Sequence, residues 1–424
     1  MRDLIILVVL LAFILPGLTR PYMAFAGYLW ADLVVPQGLV FGFLAGKPIS
    51  MIMALVCFLS LLLAGKKLRF PLSKNIPVLF VIFLIWITLT TLHARFPMAA
   101  WIKWDPSFKT LLMAFLLMFT ITTRKQLEFV VLVFFCSIMF YMASAGPKTI
   151  LSGGGYGARL ILNGSNFGLS ESSTLACVAV MTLPIILYLN KHISLMPFLQ
   201  NKKIIWLLTG ILCITTVVGT TARTGLVALV AYIGIRSFNL RNMIKLLPLV
   251  LIAAVVISQV APQSWFERMG NTTASQRVAV WQWTMDYVAD KPLMGGGFQS
   301  YLDNAGELGR YDDKLVDFVG VRAFHSIYFE VLGEHGYVGL LIFLGLIIAA
   351  VRLNHSLIKR HDIDDKTKDF CLAMNHAIYI YCIGGLFIGV AFKPIIYQLI
   401  AISAAHHTIA NKEFDEKAID AKKL

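Results

Sequence analysis

The sequence predicts an all-α integral membrane protein of about 12 transmembrane helices, with one large extramembrane loop carrying amphipathic helices. Three observations lead there. The 424 residues are 58% hydrophobic, with mean hydropathy +0.76. Only 14% are charged, where soluble domains carry about 25%. Finally, apolar runs recur at the ~20-residue length needed to cross a bilayer.

In chain order, clear runs occupy 49–65, 75–94, 107–123, 129–146, 172–190, 204–220, 246–261, 336–353 and 371–390. Shorter or interrupted runs lie at 4–18, 22–36, 224–235 and 394–406, where Pro16, Asp32 and Pro394 break or bound the pattern. The first run has the barely basic flank Met1-Arg2-Asp3 and no small-residue cleavage box before Arg20, so it reads as a retained span. Between 262 and 324 the apolar pattern stops, and Val278, Trp281, Met285 and Val288 recur at helical spacing. That segment predicts an amphipathic helix on the outer surface, ending at Lys291-Pro292 before Gly295, Gly296 and Gly297.

Sidedness follows from the basic residues, because short loops rich in Lys and Arg stay cytoplasmic. One alternating set of connections, from 66–74 to the tail after 411, holds 21 basic residues, and the intervening short loops hold 7. The loop 262–324 then falls outside. The N-terminus stays open: two short spans put Met1 outside, and one span plus a half-buried segment puts it inside. The net charge of +14 is therefore read as topology, and nucleic acid is not an expected partner. Six cysteines scattered in apolar runs read as small hydrophobes, with neither a disulfide framework nor a zinc site implied.

Arginines on the outer face need a reason. Arg223 sits in TTARTG, at a turn too short to carry it away from the membrane surface; it either snorkels to headgroups or enters a cavity between helices. Arg277 opens the amphipathic segment, as a phosphate contact or part of an interfacial anchor. His325 starts HSIYFEVLGEHGYVG just before a span, and histidine suits proton transfer near neutral pH. The glycine runs at 153–157 and 295–297 lack the Gly-Lys-Ser/Thr ending of a phosphate loop and read as flexible turns. There is no HExxH, and Asp303, Asp312, Asp313 and Asp317 read as a solvated loop, so no metal and no cofactor is expected.

Taken in order, TTARTG, then Arg-x3-Trp with PLMGGG downstream, then HSIYFEVLGEHGYVG, resemble the core of the O-antigen ligase and polymerase superfamily, GT-C-like glycosyltransferases of the bacterial inner membrane. The first 70 residues, with TRPYMAFAGYLW and GLVFGF, resemble its exosortase A-associated O-glycosylation ligase branch. The sequence departs from the pattern at Ser326, where Asn is common, and at Val-Val-Pro-Gln 34–37, where the branch carries Asn-Pro-His. The resemblance divides the chain into N-terminal segments 1–70, transmembrane helices 71–203, a catalytic core 204–405 that includes the periplasmic loop 262–324, and a cytoplasmic tail 406–424.

The resemblance implies transfer of a glycan from undecaprenyl diphosphate to an acceptor, most simply a lipid A core sugar, at the periplasmic face. Arg223 and Arg277 would bind the diphosphate, and His325 would activate the acceptor hydroxyl. Arg322, Ser326 and Arg159 complete the expected substrate-binding set. The expected reaction is metal-independent and inverting. Rival readings are a polymerase using a second lipid-linked glycan as acceptor, a protein O-oligosaccharyltransferase, and a lipid-linked glycan transporter. The last would be expected to show two similar halves, which the sequence lacks.

Overall fold

The computed structural model describes residues 2–64, 68–152, 169, 171–237 and 274–421. Among them the chain is all helical. The helices are α1 (Arg2–Gly17), α2 (Pro21–Val34), α3 (Ile49–Ala64), α4 (Asn75–Leu92), α5 (Pro97–Thr120), α6 (Arg124–Ser152), α7 (Ser172–His192), α8 (Lys203–Gly219), α9 (Arg223–Arg236), α10 (Ala274–Ala289), α11 (Ile327–Ile358), α12 (Asp365–Gly384) and α13 (Pro394–Ala421). Four of them, α4, α6, α7 and α11, are long and apolar enough to cross a membrane. Every apolar run read from the sequence coincides with a helix except 246–261, which lies outside the described residues.

Short connections make successive helices antiparallel, and the bundle closes through α7 on α12, α4 on α11, and α5 on α13. Small residues set the closest approaches, as membrane helices require where lipid is as apolar as leucine. A Cβ on Gly225 of α9 would lie 2.6 Å from Ala176 of α7, and one on Gly384 of α12 would lie 2.4 Å from Cys177.

Three boundaries differ from the sequence reading. Residues 97–106, read as part of a loop, form the first turns of α5, opened by Pro97 at a position where its missing N–H costs nothing. Likewise α11 starts at Ile327, nine residues before the apolar run. The amphipathic segment does form α10, but its buried face is Ala279, Val280, Trp283 and Val288, whereas Val278 and Met285 are exposed. It packs on α11 and on the loop around Leu308 and Leu315.

Candidate active site

One end of the bundle gathers the start of α5, α7, α9, α11 and α13. At α9 the turn from α8 is three residues long. Thr221 adopts φ 52° and Ala222 is extended, so Arg223 opens α9 directly after a tight turn. The neighbouring α7 begins with Glu171 as its cap, accepting from the backbone N–H of Ser173 at 3.0 Å and Thr174 at 2.6 Å.

Arg277 is fixed by what lies one turn further along α10. Trp281 stacks flat on Phe329, with ring centroids 5.0 Å apart and planes 4° apart, and its indole N–H donates to the Phe324 carbonyl at 2.9 Å. Residues four apart share a helix face. The clamp on Trp281 therefore turns Arg277 toward the segment that carries His325.

His325 stands in the left-handed region, φ 50°, immediately before the extended cap Ser326. Such a conformation costs a non-glycine residue of order 1–3 kcal/mol and persists only where surroundings enforce it. Here Ile327 N–H donates to the Gly385 carbonyl at 2.8 Å, and a Cβ on Gly389 would lie 3.8 Å from the His325 nitrogen. The α12–α13 connection thus braces this corner.

The electrostatics couple these groups. Burial, and after it the Arg223 guanidinium, pushes the Arg277 pKa down, with Glu171 opposing. His325 also titrates below its usual value, through loss of water first and then through Arg277, with Arg322 adding to the shift and Glu171 and Glu330 opposing it. Arg223, Arg277, His325, Arg322 and Glu171 therefore share one field.

Near His325, Glu330 and Glu334 join a cluster whose cation, Lys103, the sequence did not announce. Lys103 of α5 bonds Glu330 at 2.7 Å and Glu334 at 2.8 Å. Glu330 also accepts from Ala391 N–H at 3.0 Å, and the fully buried Glu334 accepts from Gln299 N–H at 2.9 Å. One ammonium thereby ties α5, the 299 loop and the α12–α13 connection to the first turns of α11.

Two turns into α11 the helix kinks at Gly336, φ 67° and ψ −171°. The glycine run fills the break. Gly296 N–H donates to the Gly333 carbonyl and Gly297 N–H to the Glu334 carbonyl, both at 2.9 Å, and Tyr337 N–H turns to the Pro292 carbonyl at 2.8 Å. A Cβ on Gly295 would lie 2.6 Å from the Gly333 carbonyl oxygen, so only bare backbone comes this close. PLMGGG is a splint with fixed hydrogen bonds, which corrects its reading as a flexible turn.

Among the remaining expected site residues, Arg322 lies over Phe318 at 4.5 Å, with its backbone held by the Asn304 amide at 2.7 and 3.0 Å. Ser326 is buried, and its hydroxyl has no hydrogen-bond partner among the described residues. Arg159 lies outside the described residues. Two of the loop aspartates are engaged elsewhere: Asp303 with Arg95 at 3.6 Å, and Asp312 with Lys314 N–H at 3.0 Å. Lys103 and Glu171 were missed. Their only signal was a cation and an acid in outer-loop positions, the same oddity that marked the arginines.

Comparison with known families divides the chain in two. Residues 1–194 match a family of unknown function (DUF5935). Residues 208–344, which hold Arg223, Arg277 and His325, match the family described as O-antigen ligase. No curated protein matches the sequence. Members of the matched family are glycosyltransferase-like ligases and polymerases, and with four membrane-length helices this chain is a multi-pass membrane protein. The match over residues 208–344 supports the O-antigen ligase and polymerase superfamily.

Proposed function

We propose that the protein is an O-antigen ligase-type glycosyltransferase. It moves a glycan from undecaprenyl diphosphate to an acceptor hydroxyl of the lipid A core, at the periplasmic face of the inner membrane. The observation that carries this reading is the meeting of two guanidiniums, in range to repel one another, beside a histidine biased toward its neutral form. Two guanidiniums in one field attract an anion, and a diphosphate carries negative charge for both to meet. The starts of α7, α9 and α11 at the same end add the positive ends of three helix dipoles.

In the proposed reaction the diphosphate seats against Arg223 and Arg277, whose planar forks match phosphate oxygens and stay charged at any relevant pH. They stabilise charge developing on the leaving group, in surroundings of low dielectric where such contacts count most. His325, neutral at working pH, accepts the acceptor's proton as the new glycosidic bond forms. Glu330 and Glu334 are each engaged by Lys103 and a backbone N–H, which favours a single inverting displacement over a sugar–enzyme intermediate.

The test is transfer in vitro with a defined lipid-linked donor and lipid A core, together with complementation of a strain lacking the gene. Arg277→Ala and His325→Ala should abolish transfer with the protein still inserted, and Arg223→Lys should lose most of it. Wild-type transfer by Arg277→Ala would sink the diphosphate role. Accumulation of already polymerised lipid-linked glycan in the deletion strain fits a ligase, and loss of all chain length would instead identify a polymerase. EDTA should leave the rate unchanged.

A further inference from the structure

At the opposite end of the bundle, two hollows meet at a shared wall of Leu187, Asn190, Tyr232 and Arg236. The first, about 440 Å³ between α7, α8 and α9, is apolar along Trp206, Leu207, Gly210, Ile211 and Ile214 and is topped by Lys203. The second, about 350 Å³ between α7, α9 and α12, is polar, with Lys191, Asp369 and His376 in its wall. We propose that this pair of hollows is a binding site for one anionic glycerophospholipid of the leaflet opposite the active site. Its phosphate would lie at Arg236 and Lys203, and one acyl chain would run along α8.

The dimensions fit a single leaflet. From Lys203 to Ile214 the helix climbs ~16 Å at ~1.5 Å per residue, about half of a ~30 Å hydrocarbon core. Among the described residues the groove is open at Gly210, where a Cβ would meet nothing within 4 Å.

The polar end is charged for an anion. Asp369, the carboxylate among these lining residues, already bonds Lys191 at 2.8 Å and His192 at 2.7 Å. The exposed Arg236 and Lys203 are left to face the groove mouth. Between the two hollows, the buried Tyr232 hydroxyl and the Asn190 side-chain oxygen have no hydrogen-bond partner among the described residues. Leaving such groups unsatisfied is costly, and a lipid's phosphate, ester and glycerol groups offer the acceptor and donor they lack. The preference of cations for the cytoplasmic side explains which end Arg236 and Lys203 occupy. It does not explain unpaired polar atoms or a hollow lined for an alkyl chain.

The test titrates the full-length detergent-solubilised protein with phosphatidylglycerol and reads bound lipid by native mass spectrometry. The wild type should hold one lipid that the joint Arg236→Gln and Lys203→Gln variant holds about tenfold more weakly, the loss of one or two charge-assisted bonds. Gly210→Leu fills the groove, keeps both cations and favours helix, so it should fold and lose the lipid. Tyr232→Phe removes only the hydroxyl, keeps the proposal testable if the charge variants fail to insert, and should weaken binding several-fold. Equal retention by Gly210→Leu, or phosphatidylcholine bound as tightly as phosphatidylglycerol, overturns the proposal. So does inorganic phosphate that displaces the lipid and binds Gly210→Leu unchanged, which would assign the cations to a free anion.

Discussion

Because Arg277 and His325 lie in one field, the proton affinity of the imidazole depends on the guanidinium. A nearby cation disfavours imidazolium, so the His325 pKa sits below its ordinary value and rises when that cation is removed. If His325 is the base, transfer should be flat near neutral pH and fall as pH drops through a midpoint below 6.5. NMR titration of the His325 ring in Arg277→Gln and Arg322→Gln should show the midpoint move upward, more for Arg277; no movement in either would separate the groups. Lys103 allows a stability prediction. Lys103→Met leaves the buried Glu334 without its cation, and removing one partner of such a pair costs about 3–5 kcal/mol. The thermal midpoint should fall, and adding Glu334→Gln should recover part of it because a neutral amide needs no counter-charge. A Lys103→Met protein melting with the wild type would refute the pairing. The arginines and His325 could be read from the sequence because charge is rare on an outer face. Lys103 was hidden because its partners Glu330 and Glu334 lie more than 200 residues away, inside what read as the approach to a span.

Helices were legible wherever an apolar run reached membrane length, because burying that surface demands a helix that satisfies its own backbone. Ends at the active site were less so. The first turns of α5 and α11 mix apolar residues with Lys103, Asp105, Glu330 and Glu334, which interrupts the apolar run, and Lys103 and the 292–299 segment tie these turns to the bundle. The kink at Gly336 was invisible for the same reason: the segment that repairs it lies some forty residues earlier, and a lone glycine in an apolar run carries no sign of it. Its mechanics give a prediction. Gly336→Ala would force a side chain into a backbone conformation that is essentially glycine's alone, with its Cβ 2.2 Å from the Leu293 carbonyl oxygen. Losing the splint should displace the arm of α11 that carries Glu330 and follows His325. The expected result is a lower thermal midpoint and a fall in transfer of about a hundredfold, the scale of a 1 Å misplacement. Activity and melting both at wild-type level would show that the kink is incidental.

For the molecule as a whole, the structure addresses the side of the N-terminus, which charge counting left open. Arg20, at the α1–α2 turn, shares a cavity wall with Arg69, Thr120 and Thr122, so that turn lies at the end of the bundle where α5 finishes and α6 begins. Since α1 is a helix leading into that turn, its start at Arg2 lies at the other end, with Lys103 and His325. Asp3 supports this, accepting from Leu44 N–H at 3.0 Å in the α2–α3 connection. The orientation of the two ends in the membrane then decides where the proposed active site faces, and the sidedness proposed from the basic residues has the Arg69 end in the cytoplasm. Single cysteines test it in a Cys136→Ser background, since Cys136 is the exposed native cysteine and four of the other five are buried. Phe43→Cys and Val319→Cys, at exposed positions of the active-site end, should react in intact spheroplasts with a reagent that does not cross membranes. Phe198→Cys, exposed in the connection between α7 and α8, should react only after lysis. The Phe43 position decides the N-terminus: if it labels with Phe198 rather than with Val319, α1 and α2 do not both span, and the N-terminal pair is a surface hairpin instead.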